Sequence, residues 1–221
     1  MPARDAPGVP PGCTDPQVVW RIPGAAARCY LTFDDGPDGE WTPRFLDALA
    51  RAGCRATFFV VGELAVRHGS LLRTALAAGH VLGNHGYRHR HPWTLSREQA
   101  RREVRDGADA IAQATGVLPA WFRPAHGRLS RSIVDAASAH KQRIALWNLS
   151  AVDWGPFATR PRILARLREL CAGDIALMHD GPLRHNQPAR TLDVLPPLLA
   201  LLARRNLEPA ALPTSLQCLH E

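Results

Sequence analysis

From Arg28 onward the chain alternates short apolar runs with longer stretches in which apolar residues recur at helical spacing. Arg28–Phe33 and Arg55–Val60 are dense in Val, Phe, Thr and Tyr and read as strands. Between them, Thr42 is an N-cap residue and Pro43 fits the first helical position, which predicts a helix to about Ala52. Ser96 and Gln99 have capping-box spacing and open a long helix to about Thr115, with Val104, Ala108 and Ile111 on one face. Shorter strands are predicted at Ala120–Arg123, Arg143–Trp147 and Ile175–His179, and further helices at 131–139, 161–171 and 190–204. Ile163, Leu167 and Leu170 give the helix at 161–171 its spacing. Residues 1–27 are rich in Pro, Gly and Asp, with one apolar patch at Val18–Trp20, and read as an irregular N-terminal arm. There is no internal repeat and no low-complexity tract. Strand following helix throughout implies βαβ units and a parallel sheet, an α/β fold whose reactive groups gather at the carboxyl ends of strands.

Composition bounds this picture. A chain of 221 residues, 46% apolar, fits a single domain with one sizeable core and excludes a disordered chain. The net charge of +7 is almost entirely arginine, Lys141 being the only lysine. It would suit an anionic partner such as a phospholipid or phosphosugar, but ordinary solubility explains it about twice as readily. Arg101, Arg102 and Arg105 share a helix with Glu103 and Asp106, which reads as a solvated face. No basic patch is interleaved with aromatics, so nucleic acid is not an expected partner. Five cysteines, Cys13, Cys29, Cys54, Cys171 and Cys218, are scattered without C-x-x-C spacing and read as free thiols in a reducing compartment. Met1–Pro11 lacks the apolar stretch of a signal peptide, and the longest apolar run, Val194–Ala203, is interrupted by prolines. The expectation is a soluble, cytoplasmic protein whose contact with a membrane, if any, is transient and at the surface. Nothing in the pattern bears on oligomeric state.

Five polar clusters stand out, the first, third and fifth at the ends of predicted strands. Thr32-Phe33-Asp34-Asp35-Gly36-Pro37 puts two adjacent carboxylates at a strand exit, where one can bind a metal while the other holds a proton. Alone, it would be an Asp-Gly turn with solvated acids. Gly83-Asn84-His85-Gly86-Tyr87-Arg88-His89 places two histidines at i and i+4, on one face if the segment is helical, close enough to share a metal. Bare H-x-x-x-H spacing is common by chance. Two histidines and a carboxylate would suit Zn²⁺ or another first-row divalent ion. His80 and His91 fall off this spacing and read as structural or rim residues. Phe122-Arg123-Pro124-Ala125-His126-Gly127 can order a turn and set a guanidinium over a carboxylate. Asp153-Trp154 and Leu177-Met178-His179-Asp180-Gly181 complete the set; a late His at a strand end is usually unremarkable, and is also what a general acid looks like.

In this order and spacing the five clusters resemble the motifs of the polysaccharide deacetylases, the NodB-homology domain of carbohydrate esterase family 4. The resemblance spans about residues 28–213, with 1–27 as an arm and 214–221 as a C-terminal tail. It implies a distorted (β/α) barrel of seven or eight parallel strands in a single domain, and removal of N-acetyl groups from amino sugars. It also implies roles. Asp35, His85 and His89 would hold one divalent metal ion, Zn²⁺ first, with Co²⁺, Ni²⁺ or Mn²⁺ as alternatives. Asp34 would be the base for the attacking water, oriented by Arg123. The backbone N–H of His126 would face the oxyanion. His179, held by Asp153, would protonate the leaving amine, and Leu177 and Trp154 would shape the acyl pocket.

Three positions depart from the family pattern. Gly86 stands where a Ser or Thr hydroxyl usually braces the loop. Ala125-His126 replaces a Pro-aromatic pair, and Asn148 and Ser150 stand where acids are common. No proposed ligand is lost, so the changes bear on substrate choice. The expected substrate is an amino sugar in an oligosaccharide or carried on a lipid, rather than a wall polymer. A deformylase or other amide hydrolase acting on a lipid-linked formamido sugar or small cyclic amide keeps the same fold. A sugar-binding module without catalysis would need neither Asp34 nor His179.

Overall fold

The computed structural model describes residues 17–214 with the exception of Arg184. In chain order the strands and helices are β1 (Val18–Val19), β2 (Arg28–Gly36), α1 (Trp41–Arg51), β3 (Thr57–Val60), α2 (Gly62–Arg67), α3 (Gly69–Ala77), β4 (Val81–Asn84), α4 (Arg97–Thr115), β5 (Trp121–Phe122), α5 (Arg131–Ala139), β6 (Arg143–Ala145), β7 (Leu149–Ser150), α6 (Arg160–Leu167), β8 (Ile175–His179), α7 (Pro188–Arg204) and β9 (Glu208–Ala210). Eight strands lie in the order β1-β6-β5-β4-β3-β2-β8-β7, and β9 pairs with the start of β2. Every strand pairing is parallel. This is the expected single-domain, distorted (β/α) barrel, with strands of two to nine residues curving around a core.

Alternation along β2 sorts the core into layers. Cys29, Leu31 and Phe33 pack outward with Phe45 and Leu49 of α1 and Leu198 and Leu202 of α7. Tyr30 packs with Phe59, Trp121, Trp147, Ile175 and Leu177 in a second, inner cluster. The helix starts follow their caps. Ser96 accepts from Gln99 N–H while the Gln99 side chain returns a bond to Ser96 N–H, so the predicted capping box forms and α4 runs to Thr115 as expected. Val104, Ala108 and Ile111 are all buried.

Several sequence expectations change. Thr42 does not cap α1; the helix begins at Trp41, and Asp38 Oδ1 accepts from the N–H groups of Glu40 and Trp41 instead. The hydroxyl of Thr42 is used elsewhere, donating to Asp180. Val18–Val19, within the segment expected to be irregular, forms an edge strand on β6; its two buried valines explain the apolar patch. Residues 1–16 and 215–221, with Cys13, Cys218 and most of the expected tail, lie outside the described residues. The short elements α2, α3, β4, β7 and β9 were not read from sequence, because two to nine residues give too little periodicity to separate from loop. Among the described residues no helix is long and apolar enough to cross a membrane.

Candidate active site

The five clusters converge at the carboxyl ends of β2, β4, β5, β7 and β8, around an open cleft of about 600 Å³. In a regular strand Asp34 and Asp35 would point to opposite faces. Here Asp34 pairs with Phe59 and Gly36 with Val60, so Asp35 is the extra residue of a bulge, with φ 72°. A bulge re-aims a side chain, and this one turns both carboxylates onto the same cleft. They are 3% and 4% exposed.

The two histidines do not lie on a helix. The chain leaving β4 is irregular, and positive φ values at Gly86 (83°) and His89 (54°) fold it back on itself. That turn brings His85 Nε2 to 3.4 Å and His89 Nε2 to 3.1 Å from Asp35 Oδ1. Two residues hold the loop. Asn84 Oδ1 accepts from Gly86 N–H, and Asn84 Nδ2 donates to Val104 O and Gln142 Oε1. Glu103 Oε1 accepts from the N–H groups of Arg88 and Arg90. Glu103 was expected on a solvated face and is instead buried against the loop. A Cβ at Gly86 would approach its carboxylate to 3.0 Å, so the brace that α4 gives the loop leaves little room for a side chain at position 86.

Arg123 is fully buried and runs inward from the end of β5. Its Nη1 donates to Asp34 Oδ1 and Thr32 Oγ1, its Nε to Ala145 O and its Nη2 to Leu146 O, with the guanidinium carbon 3.9 Å from the centre of the Phe59 ring. A planar fork with five donors suits this geometry; a lysine ammonium would not. The result is one Asp34 oxygen fixed and the other, Oδ2, left 3.6 Å from His85 Nε2.

On the other side, Asp153 is buried and accepts three hydrogen bonds: Nδ1–H of His179 at 2.7 Å, the backbone N–H of His179, and the hydroxyl of Thr191 on α7. This fixes the His179 tautomer and leaves Nε2 toward the cleft, 3.9 Å from Asp35 Oδ2. Trp154 stands edge-on to His179 at 5.5 Å, and Leu177 lines the cleft beneath. His126 also lines it, with φ 58°, and packs 4.7 Å from His89. Gly127 follows with φ 63°, where a Cβ would overlap the six-membered ring of Trp147.

The electrostatics separate the groups. Burial lowers the His179 pKa, but the charge and hydrogen bond of Asp153 outweigh it and push the pKa up to about 9. Burial and the neighbouring His85 push His89 down to about 3, leaving a neutral imidazole. Burial would raise the Asp35 pKa, yet the neighbouring imidazoles of His85, His89 and His179 hold it well below the usual carboxylate range. Asp180, directly behind, is pushed up to about 7, chiefly by burial.

The residues given roles from sequence therefore meet at one cleft, Asp34, Asp35, His85, His89, His126, Trp154, Leu177 and His179 lining it and Arg123 and Asp153 supporting Asp34 and His179 from behind. Others were missed. Asn186 Nδ2 donates to Asp35 Oδ2, and Thr191 anchors Asp153. Both lie outside any motif, and no local signal marks them. Asp180 and Asn84 sat within the quoted clusters but gave no sign of their role. Trp147, buried against Gly127, was taken only as the end of a strand. His80 is structural as expected, its Nδ1 accepting from Ala56 N–H.

Asp35, His85 and His89 offer three ligand atoms within 4.8 Å of one another. Two features fit a cation. Asp35 Oδ1 is buried without a hydrogen-bond partner. His85 Nδ1 faces the carbonyl of Arg123 at 2.7 Å and must carry a proton, so a neutral His85 points its Nε2 lone pair at the Asp35 carboxylate.

Comparison with known proteins points one way. A polysaccharide deacetylase family model matches residues 22–145, ending short of Asp153 and His179. The chain is 30% identical over 184 residues to a peptidoglycan-N-acetylglucosamine deacetylase of Bacillus cereus, covering 82% of this chain and 86% of that protein. It is 32% identical over 166 residues to a chitooligosaccharide deacetylase of Sinorhizobium fredii, covering 75% and 77%. Among solved structures it resembles a family 4 carbohydrate esterase from Streptomyces lividans in complex with acetate. There the TM-score is 0.78 and the identity 32%, over 85% of this chain and 94% of that one.

Proposed function

The chain belongs to the polysaccharide deacetylase family, and from that premise we propose that it hydrolyses the N-acetyl group of an N-acetylglucosamine unit with a divalent cation held by Asp35, His85 and His89. The observation that carries the reading is the orphaned Asp35 Oδ1, buried and facing two imidazole nitrogens. When bound there, a cation such as Zn²⁺ would satisfy all three atoms, polarise the amide carbonyl and acidify a water. Two nitrogens and one oxygen with open positions suit zinc, and also Co²⁺, Ni²⁺ or Mn²⁺.

The protein's own groups supply the proton transfers. Asp34, with Oδ1 pinned by Arg123, takes the proton of the attacking water on Oδ2. His179 enters the reaction as imidazolium and delivers its Nε2 proton to the departing amine nitrogen, while Asp153 holds Nδ1. A base and an acid held by separate partners, Arg123 and Asp153, supply the two proton transfers that amide cleavage requires. On this reading the backbone N–H of His126 would stabilise the oxyanion, and Leu177 and Trp154, which line the cleft, would wall the acyl methyl. The relatives' names supply the sugar: N-acetylglucosamine in peptidoglycan for one, a chitooligosaccharide for the other.

The test is release of acetate or formate by the zinc-loaded protein from a panel of N-acetyl and N-formyl amino sugars. Acetate release is expected, and Asp34→Asn should keep its zinc while losing on the order of 10²–10⁴ in rate. Full turnover by Asp34→Asn would remove it as the base, and no acyl release from any member of the panel would overturn the reading.

A further inference from the structure

The two oxygens of Asp35 have different surroundings. Oδ1 is buried without a hydrogen-bond partner and faces the two ligand imidazoles. Oδ2 accepts a hydrogen bond from Asn186 Nδ2 at 2.7 Å. His179 Nε2, also near Oδ2, is 3.9 Å away and outside hydrogen-bond range. The amide of Asn186 therefore decides which oxygen is free, and neither proton transfer involves it.

Asn186 lies in the loop between β8 and α7 and lines the cleft. A carboxamide has two N–H donors. Here the same Nδ2 also donates to Gly181 O at 3.1 Å, so both donors are spent on the protein and neither is left for a sugar hydroxyl. Both partners are acceptors. Turning the amide over would set oxygen against oxygen, so its orientation is settled. The backbone is tied as firmly. Asn186 N–H donates to Leu183 O, and Asn186 forms an antiparallel bridge with Trp154. On either side, His185 O accepts from Gly155 N–H and Gln187 N–H donates to Asp153 O. At the start of the loop Gly181 packs so closely that a Cβ there would overlap the carbonyl oxygen of Asp35. The segment that is tied to Asp153 and Trp154 thus also aims one amide at Asp35.

We propose that Asn186 is a positioning residue that makes Asp35 a one-oxygen ligand: it occupies Oδ2 and presents Oδ1 to the cation. The assignment rests on the metal reading of Asp35, His85 and His89. A carboxylate without this restraint has two other options. It can chelate the cation with both oxygens, filling a position that the water and the amide carbonyl need, or it can turn Oδ2 toward the His179 imidazolium. Groups that hydrogen-bond to a ligating carboxylate set its orientation, and losing one costs roughly 10–100-fold in metal affinity. The competing role for Asn186 is closure of its own loop through the bond to Gly181 O. That role predicts a change in stability without a change in the surroundings of the metal.

The experiment uses the full chain and two variants, Asn186→Ala and Asn186→Leu, the second close to asparagine in volume but without a donor. Zinc affinity is read by competition with a chromophoric chelator. The visible absorption of the Co²⁺ form reads the surroundings of the metal, and melts of the zinc-free proteins read folding. Asn186 is only half-buried, so both variants should fold. Both should bind zinc about ten- to a hundredfold more weakly than the wild type and show shifted Co²⁺ bands. Wild-type zinc affinity and Co²⁺ spectrum in the two variants would overturn the positioning role and leave the metal site standing, whatever the melts show. Zinc affinity lost in Asn186→Ala but kept in Asn186→Leu would assign the effect to packing and overturn it too. A wild type that binds no zinc, or binds it as well after His89→Ala, would remove the metal reading itself and the assignment with it.

Discussion

Replacing Asp153 with Asn tests how the fold sets the charge of His179. The side chain keeps its size, and an amide oxygen can still accept from His179 Nδ1–H, so the tautomer can survive. What goes is the negative charge, the largest influence raising the His179 pKa from 6.5 to about 9. That elevation corresponds to about 3 kcal/mol in favour of the imidazolium. Burial pushes the other way and only the smaller influences of Asp35 and Asp34 still raise it, so the variant's His179 should titrate well below about 9, back toward its ordinary 6.5. At pH 8 a group of pKa about 9 is roughly nine-tenths protonated, and one of pKa about 6.5 only about 3% protonated. If His179 is the proton donor, kcat/KM at pH 8 should fall by up to roughly thirtyfold, the full drop following a complete return to 6.5, and at pH 6 by less than a factor of about two. The same shift enters stability. The folded-state pKa lies above the unfolded value, so the pair's contribution is complete below pH about 6.5 and is lost as the pH rises through about 9. Melting temperatures across pH 6 to pH 9.5, the pH–rate profile on an N-acetylchitooligosaccharide, and NMR titration of the imidazole read these effects separately. An alkaline limb and an imidazole titration that both stay near pH 9 in Asp153→Asn would refute the pairing as the source of the charge.

Two other substitutions probe the supports of the site. Glu103→Ala leaves the N–H groups of Arg88 and Arg90 without their buried acceptor. It should cost roughly 1–3 kcal/mol in denaturant unfolding and weaken Zn²⁺ binding measured by calorimetry; no change in either would show that the loop holds itself. Arg123→Lys keeps the charge but loses the fork that reaches Asp34, Thr32, Ala145 and Leu146. A destabilisation on the order of 3–5 kcal/mol is expected, and wild-type stability would mean the buried network contributes little.

The sequence by itself determined the class of fold and the residues of the cleft. Apolar runs alternating with capped amphipathic helices fixed a parallel α/β arrangement, because each signal is local: Ser96 and Gln99 cap α4 wherever the helix goes. The chemical groups were legible for the same reason, each cluster being a short run of adjacent residues in the sequence. What the sequence could not carry was direction. That Asp34 and Asp35 share a cleft depends on a bulge against β3, and that His85 and His89 converge depends on two left-handed residues where helical spacing gave a different picture. Asn186 and Thr191 reach the site from a loop and helix brought there by packing, and Glu103 left its expected solvated face because the loop after β4 folds over α4. Spacing along a chain records which side chains are near one another in sequence. Only the tertiary structure decides which of them share a buried volume, where an unpaired oxygen such as Asp35 Oδ1 becomes costly enough to call for a ligand.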